Sequence, residues 1–296
     1  MRPAHRLAVL TAAATGVLIV FGGLVTNTGA AMAVPDWPTT FGHNMFLFPL
    51  SGMVGGVFYE HSHRLLGALV GLLTLALAAT LWRAGGRLRA LGVVAVVAVV
   101  LQGVIGGLRV VLSTDALAMI HGPFAQAFFA FVVALALLTS PRMAVPAPAL
   151  DAATRGLTVA TAALVYLQIV FGALLTHAGY LAVHLLGALA VFVVAPLATA
   201  RLRRSGDAVA APAARVALVL LGLQLVLGAG SYLARFSAIW IPGGQLTILV
   251  VPVAHRLAGG LLLATAVVLA VRVLATARPA AARDVARARP AVGVAR

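Results

Sequence analysis

Long apolar runs separated by short polar connections dominate the pattern along the 296-residue chain. A bilayer core of roughly 30 Å needs about 20 apolar residues per helical crossing. Runs without alternation predict helices rather than barrel strands, and helices satisfy their own backbone groups in lipid. The pattern predicts eight crossings, near residues 7–26, 62–82, 90–111, 118–139, 156–176, 181–200, 214–234 and 247–275. The predicted fold class is therefore an all-α integral membrane protein with eight transmembrane helices.

The two halves of the chain repeat one another. IVFGGLVTNTG at 19–29 matches IVFGALLTHAG at 169–179, and LQGVIGG at 101–107 matches LQLVLGAG at 223–230. An even number of crossings separates the copies, so both insert in the same orientation and we expect two pseudosymmetric four-helix bundles. The expected divisions are an N-terminal half over 1–140, a cytoplasmic linker over 141–155, a C-terminal half over 156–276 and a disordered basic tail over 277–296.

The distribution of charge indicates the orientation in the membrane. The chain has no lysine, and its net charge of +15 comes from 21 arginines set against six acidic residues. Most of these arginines precede span one, lie in the even-numbered connections or end the chain. The positive-inside rule predicts cytoplasmic termini for a multi-pass protein of the cell (plasma) membrane. This charge suits anionic membrane lipid better than nucleic acid.

The chain has no cysteine, which excludes a disulfide, a thiolate metal site and covalently attached heme. Ala31-Met32-Ala33 resembles a signal-peptidase site, but the apolar run before it exceeds a typical signal core of about 7–15 residues. Because that run also belongs to the repeat, we expect span one to be retained. Two outer loops are longer than the rest, about 30–61 with PDWP and about 235–246 with IPGG, and any gate or partner contact is expected there.

Four histidines occupy equivalent helix ends. They are His63, His121, His184 and His255, each at the start of an even-numbered span on the extracytoplasmic side. A lone helix-end histidine is usually a polar cap in the wet interface, whereas four at equivalent places indicate ligands. We expect His63 to pair with His121 in the first half. His184 and His255 would form the second bis-histidine site.

The residue four positions after each histidine is small, which suits a flat macrocycle lying against the helix. These residues are Gly67, Ala125, Ala188 and Gly259. Close helix packing alone would also explain them. Glu60 precedes His63 by three residues and would share its face, where a carboxylate could accept a proton, orient a ligand or steer a substrate. His61 competes with His63 as a ligand, but nothing equivalent precedes His255.

Other polar groups adjoin these positions. Arg64 and Arg256 each follow a ligand candidate, and each could pair with heme propionates or snorkel to the interface. Three intramembrane glutamines could bond across helices or beside a macrocycle; they are Gln102, Gln168 and Gln224. The residues alone leave open a non-catalytic di-heme b electron carrier and a transporter built from parallel repeats.

Together these motifs resemble the heme A synthase family of the cytochrome oxidase assembly pathway. The matching segments cover nearly the whole chain: GGLVTNTG, PDWP, EHSHR, QGVIGGLRV, the HG at span four, His184, and AHR at 254–256. The resemblance implies an oxidoreductase that converts the C8 methyl of heme O to a formyl group, giving heme A. Successive hydroxylation would give a gem-diol that loses water. Many members carry a cysteine pair in the first outer loop, so this chain would belong to a cysteine-free branch.

The resemblance also implies roles for the ligand candidates. Glu60, His63 and His121 would form the catalytic site for the substrate heme in the first half. His184 and His255 would ligate a resident heme b in the second half. Iron would perform the oxidation, while the protein supplies orientation and electrostatics. The expected partners are heme O and heme A, with a heme O synthase, an electron donor and a homo-oligomer left open.

Overall fold

The computed structural model describes residues 2–237, 239 and 242–276. Within these residues, eight helices are long and apolar enough to cross a membrane, which confirms the predicted all-α membrane fold. Their bounds are α1 Arg2–Asn27, α2 Gly55–Ala84, α3 Gly86–Val111, α4 Asp115–Thr139, α5 Ala152–Ala178, α6 Leu181–Arg203, α7 Ala210–Phe236 and α8 Gly244–Thr276. The basic tail expected at 277–296 lies outside the described residues.

Several helices begin before their apolar runs do. Helix α2 starts at Gly55, so Glu60 and His61 lie inside a helix rather than in the first outer loop. Polar residues at a helix end extend beyond the hydrocarbon core and lower the local hydropathy without ending the helix. Helix α5 starts at Ala152, because Asp151 caps it by accepting the backbone N–H of Thr154 at 2.6 Å.

The helices of each half pack as a closed ring of four. Helix α1 contacts α2, α2 contacts α3, α3 contacts α4, and α4 returns to α1; helices α5 to α8 repeat this order. The two rings meet through α1, α4, α5 and α8. This packing fits the expected pair of four-helix bundles. It also sets α2 diagonally across from α4, and α6 diagonally across from α8.

Small and hydroxylated side chains fill the spaces between helices, while many large apolar side chains face outward. Ala8, Ala95 and Thr74 are completely buried, and the Thr74 hydroxyl donates to the Val70 carbonyl of its own helix. Val226, by contrast, is 69% exposed. An apolar exterior around closely packed small residues is typical of helices surrounded by lipid.

A buried ion pair closes the end of the bundle opposite the four histidines. Nε of Arg272 in α8 donates to Oδ2 of Asp207 at 3.0 Å, and the two side chains are 3% and 2% exposed. A second guanidinium nitrogen donates to the Val145 carbonyl at 2.8 Å. Asp207 also accepts the backbone N–H of Ala210 at the start of α7. The pair therefore joins α8, the connection before α7 and the linker between the halves.

Candidate functional site

The structure brings the four histidines together in two pairs. The ring centroids of His63 and His121 lie 6.4 Å apart, with the ring planes at 73°. The centroids of His184 and His255 also lie 6.4 Å apart, with the planes at 72°. Each pair joins the two even-numbered helices of one half, as expected from the sequence. The two halves thus present the same local geometry.

The separation within each pair suits one metal ion held between two imidazoles. A metal–nitrogen bond to histidine is about 2 Å long, and the ring centroid lies about 1 Å beyond the nitrogen. Two imidazoles on opposite sides of one ion therefore have centroids about 6 Å apart. No group of three or more histidine, cysteine, aspartate or glutamate side chains within the described ranges could hold a metal ion. A macrocycle would supply the remaining ligands.

In the first half, each imidazole lies against a glycine of the preceding helix. A Cβ atom on Gly22 of α1 would lie 3.0 Å from Cε1 of His63. A Cβ atom on Gly106 of α3 would lie 2.8 Å from Cε1 of His121. Both distances are shorter than ordinary van der Waals contact, which begins at 3.4 Å. The missing side chains therefore leave the space that the two rings occupy.

The second half repeats this arrangement with more room. A Cβ atom on Gly228 of α7 would lie 3.2 Å from Cε1 of His255, and one on Gly172 of α5 would lie 3.5 Å from Cε1 of His184. The sequence reasoning missed these four glycines. The available signal was the repeat itself, because Gly22 and Gly172 both follow the same Ile-Val-Phe tripeptide.

Three glutamines on odd-numbered helices hold the backbone at three of the histidines. Their Nε2 atoms donate to the histidine carbonyls in three hydrogen bonds: Gln102 to His121 at 2.9 Å, Gln168 to His184 at 2.9 Å and Gln224 to His255 at 3.0 Å. Bonding across helices is one of the two roles expected for them. A fourth glutamine, which the sequence reasoning missed, is Gln126 of α4, whose amide donates to the Arg256 carbonyl at 3.4 Å.

The imidazole nitrogens differ in how they are engaged. In three of the histidines, Nδ1 is buried and has no hydrogen-bond partner among the described residues. These are His63, His121 and His255. The ring of His184 instead has Nδ1 3.2 Å and Nε2 3.3 Å from the amide nitrogen of Gln168. Buried polar atoms without partners are rare in native structures and commonly mark a ligand, an ion or water. The first pair and His255 therefore fit a bound group.

Glu60 and Arg64 connect α2 to the first outer loop. The Glu60 side chain is buried, and its Oε2 accepts the backbone N–H of Val34 at 2.9 Å. Its Oε1 accepts from Nη2 of Arg64 at 2.8 Å. The Arg64 guanidinium also donates to the carbonyls of Val34, Asp36 and Thr39. All of these donors serve Glu60 or the loop, so a propionate contact of Arg64 stays a prediction.

A tight turn orders the start of that loop. Slight burial raises the pKa of Asp36, but hydrogen bonds to its carboxylate from the Gly42 N–H, the Thr39 hydroxyl and the Phe41 N–H lower it to about 2. Trp37, next in the chain, lies directly against Gly107 of α3, where even a Cβ atom would clash with the indole. The loop therefore packs beside the glycine that adjoins the His121 ring.

His61, the competing ligand candidate, faces the loop. Its Nδ1 lies 3.1 Å from the hydroxyl of Thr40, and its ring centroid lies 5.0 Å from that of Phe48. The ring of His63 instead lies opposite that of His121. The contacts of His61 thus separate it from the pair and favour His63 as the ligand candidate.

Arg256, the residue after His255, reaches across to the other half. Its Nη1 donates to the carbonyl of Gly23 in α1 at 3.1 Å. Gly23 follows Gly22, the glycine that supports the His63 ring. The guanidinium therefore joins α8 to α1 across the interface between the two halves. Its expected contact with a propionate stays a prediction.

Comparison with known proteins points to one family. A family model described as COX15-CtaA, cytochrome oxidase assembly protein, matches residues 5–180. The chain is similar to heme A synthase of Shouchella clausii, with 32% identity over 181 residues that make up 58% of each chain. It is also similar to heme A synthase of Bacillus licheniformis, with 34% identity over 137 residues, 45% of this chain and 44% of the relative.

The extent of these matches differs between the family and its individual members. The chain spans about half the length of the curated relatives it matches. The family model, in contrast, covers more than half of the chain, including α1 from residue 5 onward, all of α2 to α5 and both histidines of the first pair. The chain belongs to the COX15-CtaA family of cytochrome oxidase assembly proteins.

Proposed function

We propose that this chain oxidises the C8 methyl group of heme O to a formyl group, producing heme A. The observation that carries the proposal is the first histidine pair, with His63 and His121 opposed at 6.4 Å within the part of the chain that matches the family. The matched relatives are named heme A synthase. The two imidazoles would hold the substrate heme, and Gly22 and Gly106 give them their space.

The second pair would hold a resident heme b. His184 and His255 are 6.4 Å apart, and Gln168 and Gln224 fix the helix backbone at the two ligands. A heme bound there would supply one-electron chemistry. Hydrogen bonds behind a ligand fix its orientation, so the two glutamines would keep the imidazoles in place when the charge of the site changes.

The connection between the first two helices of each half favours the first half as the place of reaction. Residues 28–54 lie between α1 and α2 and are tied to the site by Glu60, Arg64 and Trp37. The equivalent connection in the second half, between helices α5 and α6, has two residues. A substrate must enter and leave while water is excluded, and a loop can provide both. A resident cofactor needs no such cover.

The contacts of Glu60 support placement of the substrate over proton transfer. Both carboxylate oxygens already accept hydrogen bonds, one from the Val34 N–H and one from Arg64. We therefore assign Glu60 to positioning, because it holds the loop whose Trp37 packs against α3 beside Gly106, the glycine next to the His121 ring. Glu60→Gln should keep the Val34 contact and more activity than Glu60→Ala.

The arginine distribution supports an orientation with cytoplasmic termini and with both histidine pairs towards the extracytoplasmic side of the cell membrane. The reaction needs a source of heme O and an oxidant, for which we propose dioxygen. Each hydroxylation inserts one oxygen atom of dioxygen, and an electron donor supplies the two electrons that, with two protons, reduce the other oxygen atom to water. We therefore propose a heme O synthase and a redox protein as partners. Self-association of the chain is a further proposal.

The test is to express the full chain with a supply of heme O and to identify the extracted hemes by chromatography and mass. Heme A should form with the unaltered chain and be absent with His63→Ala or His121→Ala. His43→Ala is the control, because His43 is exposed in the outer loop. Two bound b hemes with no heme A would instead identify a di-heme electron carrier and refute the proposal.

A further inference from the structure

Four arginines lie near the histidine end of the bundle, and three of them have partners. Arg64 pairs with Glu60. Arg235 donates to Oδ1 of Asn27 at 3.0 Å, and Arg256 donates to a backbone carbonyl of α1. The fourth, Arg109, makes no hydrogen bond or ion pair within the described residues. Its guanidinium is therefore available to a ligand.

The position of Arg109 relates it to the first histidine pair. It lies in the last turn of α3, three residues after Gly106. Residues three apart share a helix face, so Arg109 stands one turn beyond the glycine that adjoins the His121 ring. Its charge is within electrostatic range of both His63 and His121. The residue is half-buried rather than extended into solvent.

No acidic side chain in the described part of the chain forms an ion pair with Arg109. Glu60 is held by Arg64, and the Asp115 side chain is 80% exposed beside His177. A partly buried charge at a membrane-spanning helix is costly unless it is paired or functional. A guanidinium presents a planar fork of donors that matches a carboxylate or a phosphate. An anionic ligand at this site would therefore balance the positive charge of Arg109.

We infer that Arg109 binds a carboxylate of the porphyrin held between His63 and His121, and so acts as a positioning residue. This inference rests on the proposed function. The two propionates of a heme lie on one edge of the macrocycle, so anchoring that edge fixes the rotation of the ring in its own plane. That rotation decides which methyl group meets the reacting position.

The experiment compares heme with its dimethyl ester, in which both propionates are uncharged. The full chain is titrated in neutral detergent, and occupancy of the first site is taken as the part of the Soret change that His63→Ala abolishes. Arg109→Gln should weaken heme binding by about ten-fold to a hundred-fold, the range expected for a hydrogen bond to a charged group. It should leave binding of the dimethyl ester within about two-fold. Arg109→Lys should restore part of the affinity for heme.

A matched control lies on the same helix. Arg89 is at the opposite end of α3, where its guanidinium stacks over Trp82, and Arg89→Gln should not change either titration. Equal loss of heme and dimethyl ester in Arg109→Gln, or no loss of either, would overturn the inference. If Arg109→Gln loses heme affinity only when phosphatidylglycerol is added, Arg109 binds a lipid phosphate instead. That result would also overturn the inference. If the unaltered chain shows no heme binding dependent on His63, the proposed function fails, and this inference fails with it.

Discussion

Four glycines each lie against one of the four histidine rings. Of these, Gly106 should tolerate alanine least, because its Cβ atom would come closest to the neighbouring ring. A Cβ atom there would lie 2.8 Å from Cε1 and 3.3 Å from Nδ1 of His121, whereas ordinary contact begins at 3.4 Å. The imidazole would have to move by about 0.6 Å to reach ordinary contact, the difference between 3.4 and 2.8 Å. Metal–ligand distances tolerate only about 0.2 Å of change. Heme binding at the first site should therefore fall sharply.

The fold itself should survive this substitution. Alanine is favoured over glycine in a helix interior by about 0.5–1 kcal/mol. Overpacking typically costs about 1–3 kcal/mol, so the helical gain offsets part of it and the free energy of unfolding should fall by at most about 2.5 kcal/mol. Gly103 is the matched control on the same helix, because a Cβ atom there would meet nothing within 4 Å. Gly103→Ala should keep the helical gain without the clash.

The assay is a Soret titration of each purified alanine variant with heme. In the first half, Gly106→Ala should bind more weakly than Gly22→Ala, following distances of 2.8 and 3.0 Å. In the second half, Gly228→Ala should be weakened, and Gly172→Ala at 3.5 Å should resemble the unaltered chain. Gly103→Ala should bind normally. Affinities that do not follow these distances, or a Gly103→Ala variant as impaired as Gly106→Ala, would refute the reasoning.

Three further outcomes are expected. Gln224→Leu removes a hydrogen bond of 3.0 Å to the backbone of α8 and should weaken heme binding in the second half by about five-fold, the equivalent of roughly 1 kcal/mol; Soret titration measures it. The pKa of Asp36 is lowered from 3.8 to about 2, so its stabilisation of the outer loop is complete above pH 3.8 and disappears as the pH falls towards 2. Trp37 fluorescence should change in that window, and a transition that persists in Asp36→Asn would contradict this. Arg272→Ala leaves Asp207 buried without its partner and should lower the free energy of unfolding by about 3–5 kcal/mol, measured by denaturation. The double variant Arg272→Met, Asp207→Leu should lower it much less.

The fold followed from the sequence because each crossing needs a long apolar run, and such runs can be read without knowing their neighbours. The helix limits were less accurate. The polar segment around Glu60 and His61 continues α2 outside the hydrocarbon layer, where hydropathy no longer reports on helix formation. A sequence does not reveal which residues are in contact. The internal repeat still grouped the four histidines, since equivalent positions in two copies imply equivalent places in the fold.

The site was only partly predictable. The pairing of His63 with His121 followed from topology, because alternate helices of a four-helix ring face each other across its centre. The engagement of Arg64 by loop carbonyls did not follow, because it depends on the irregular fold of residues 28–54, which carries no periodic signal. Finding that Arg109 has no partner among the described residues likewise requires knowledge of where the nearby acidic side chains lie.

Electron paramagnetic resonance of the oxidised, heme-loaded protein tests the central claim most directly, namely that each histidine pair holds one heme. Ring planes at 73° and 72° predict two strongly anisotropic low-spin ferric signals. His121→Ala should abolish one of these signals and His255→Ala the other. A low-spin signal that survives unchanged in either variant would contradict the account.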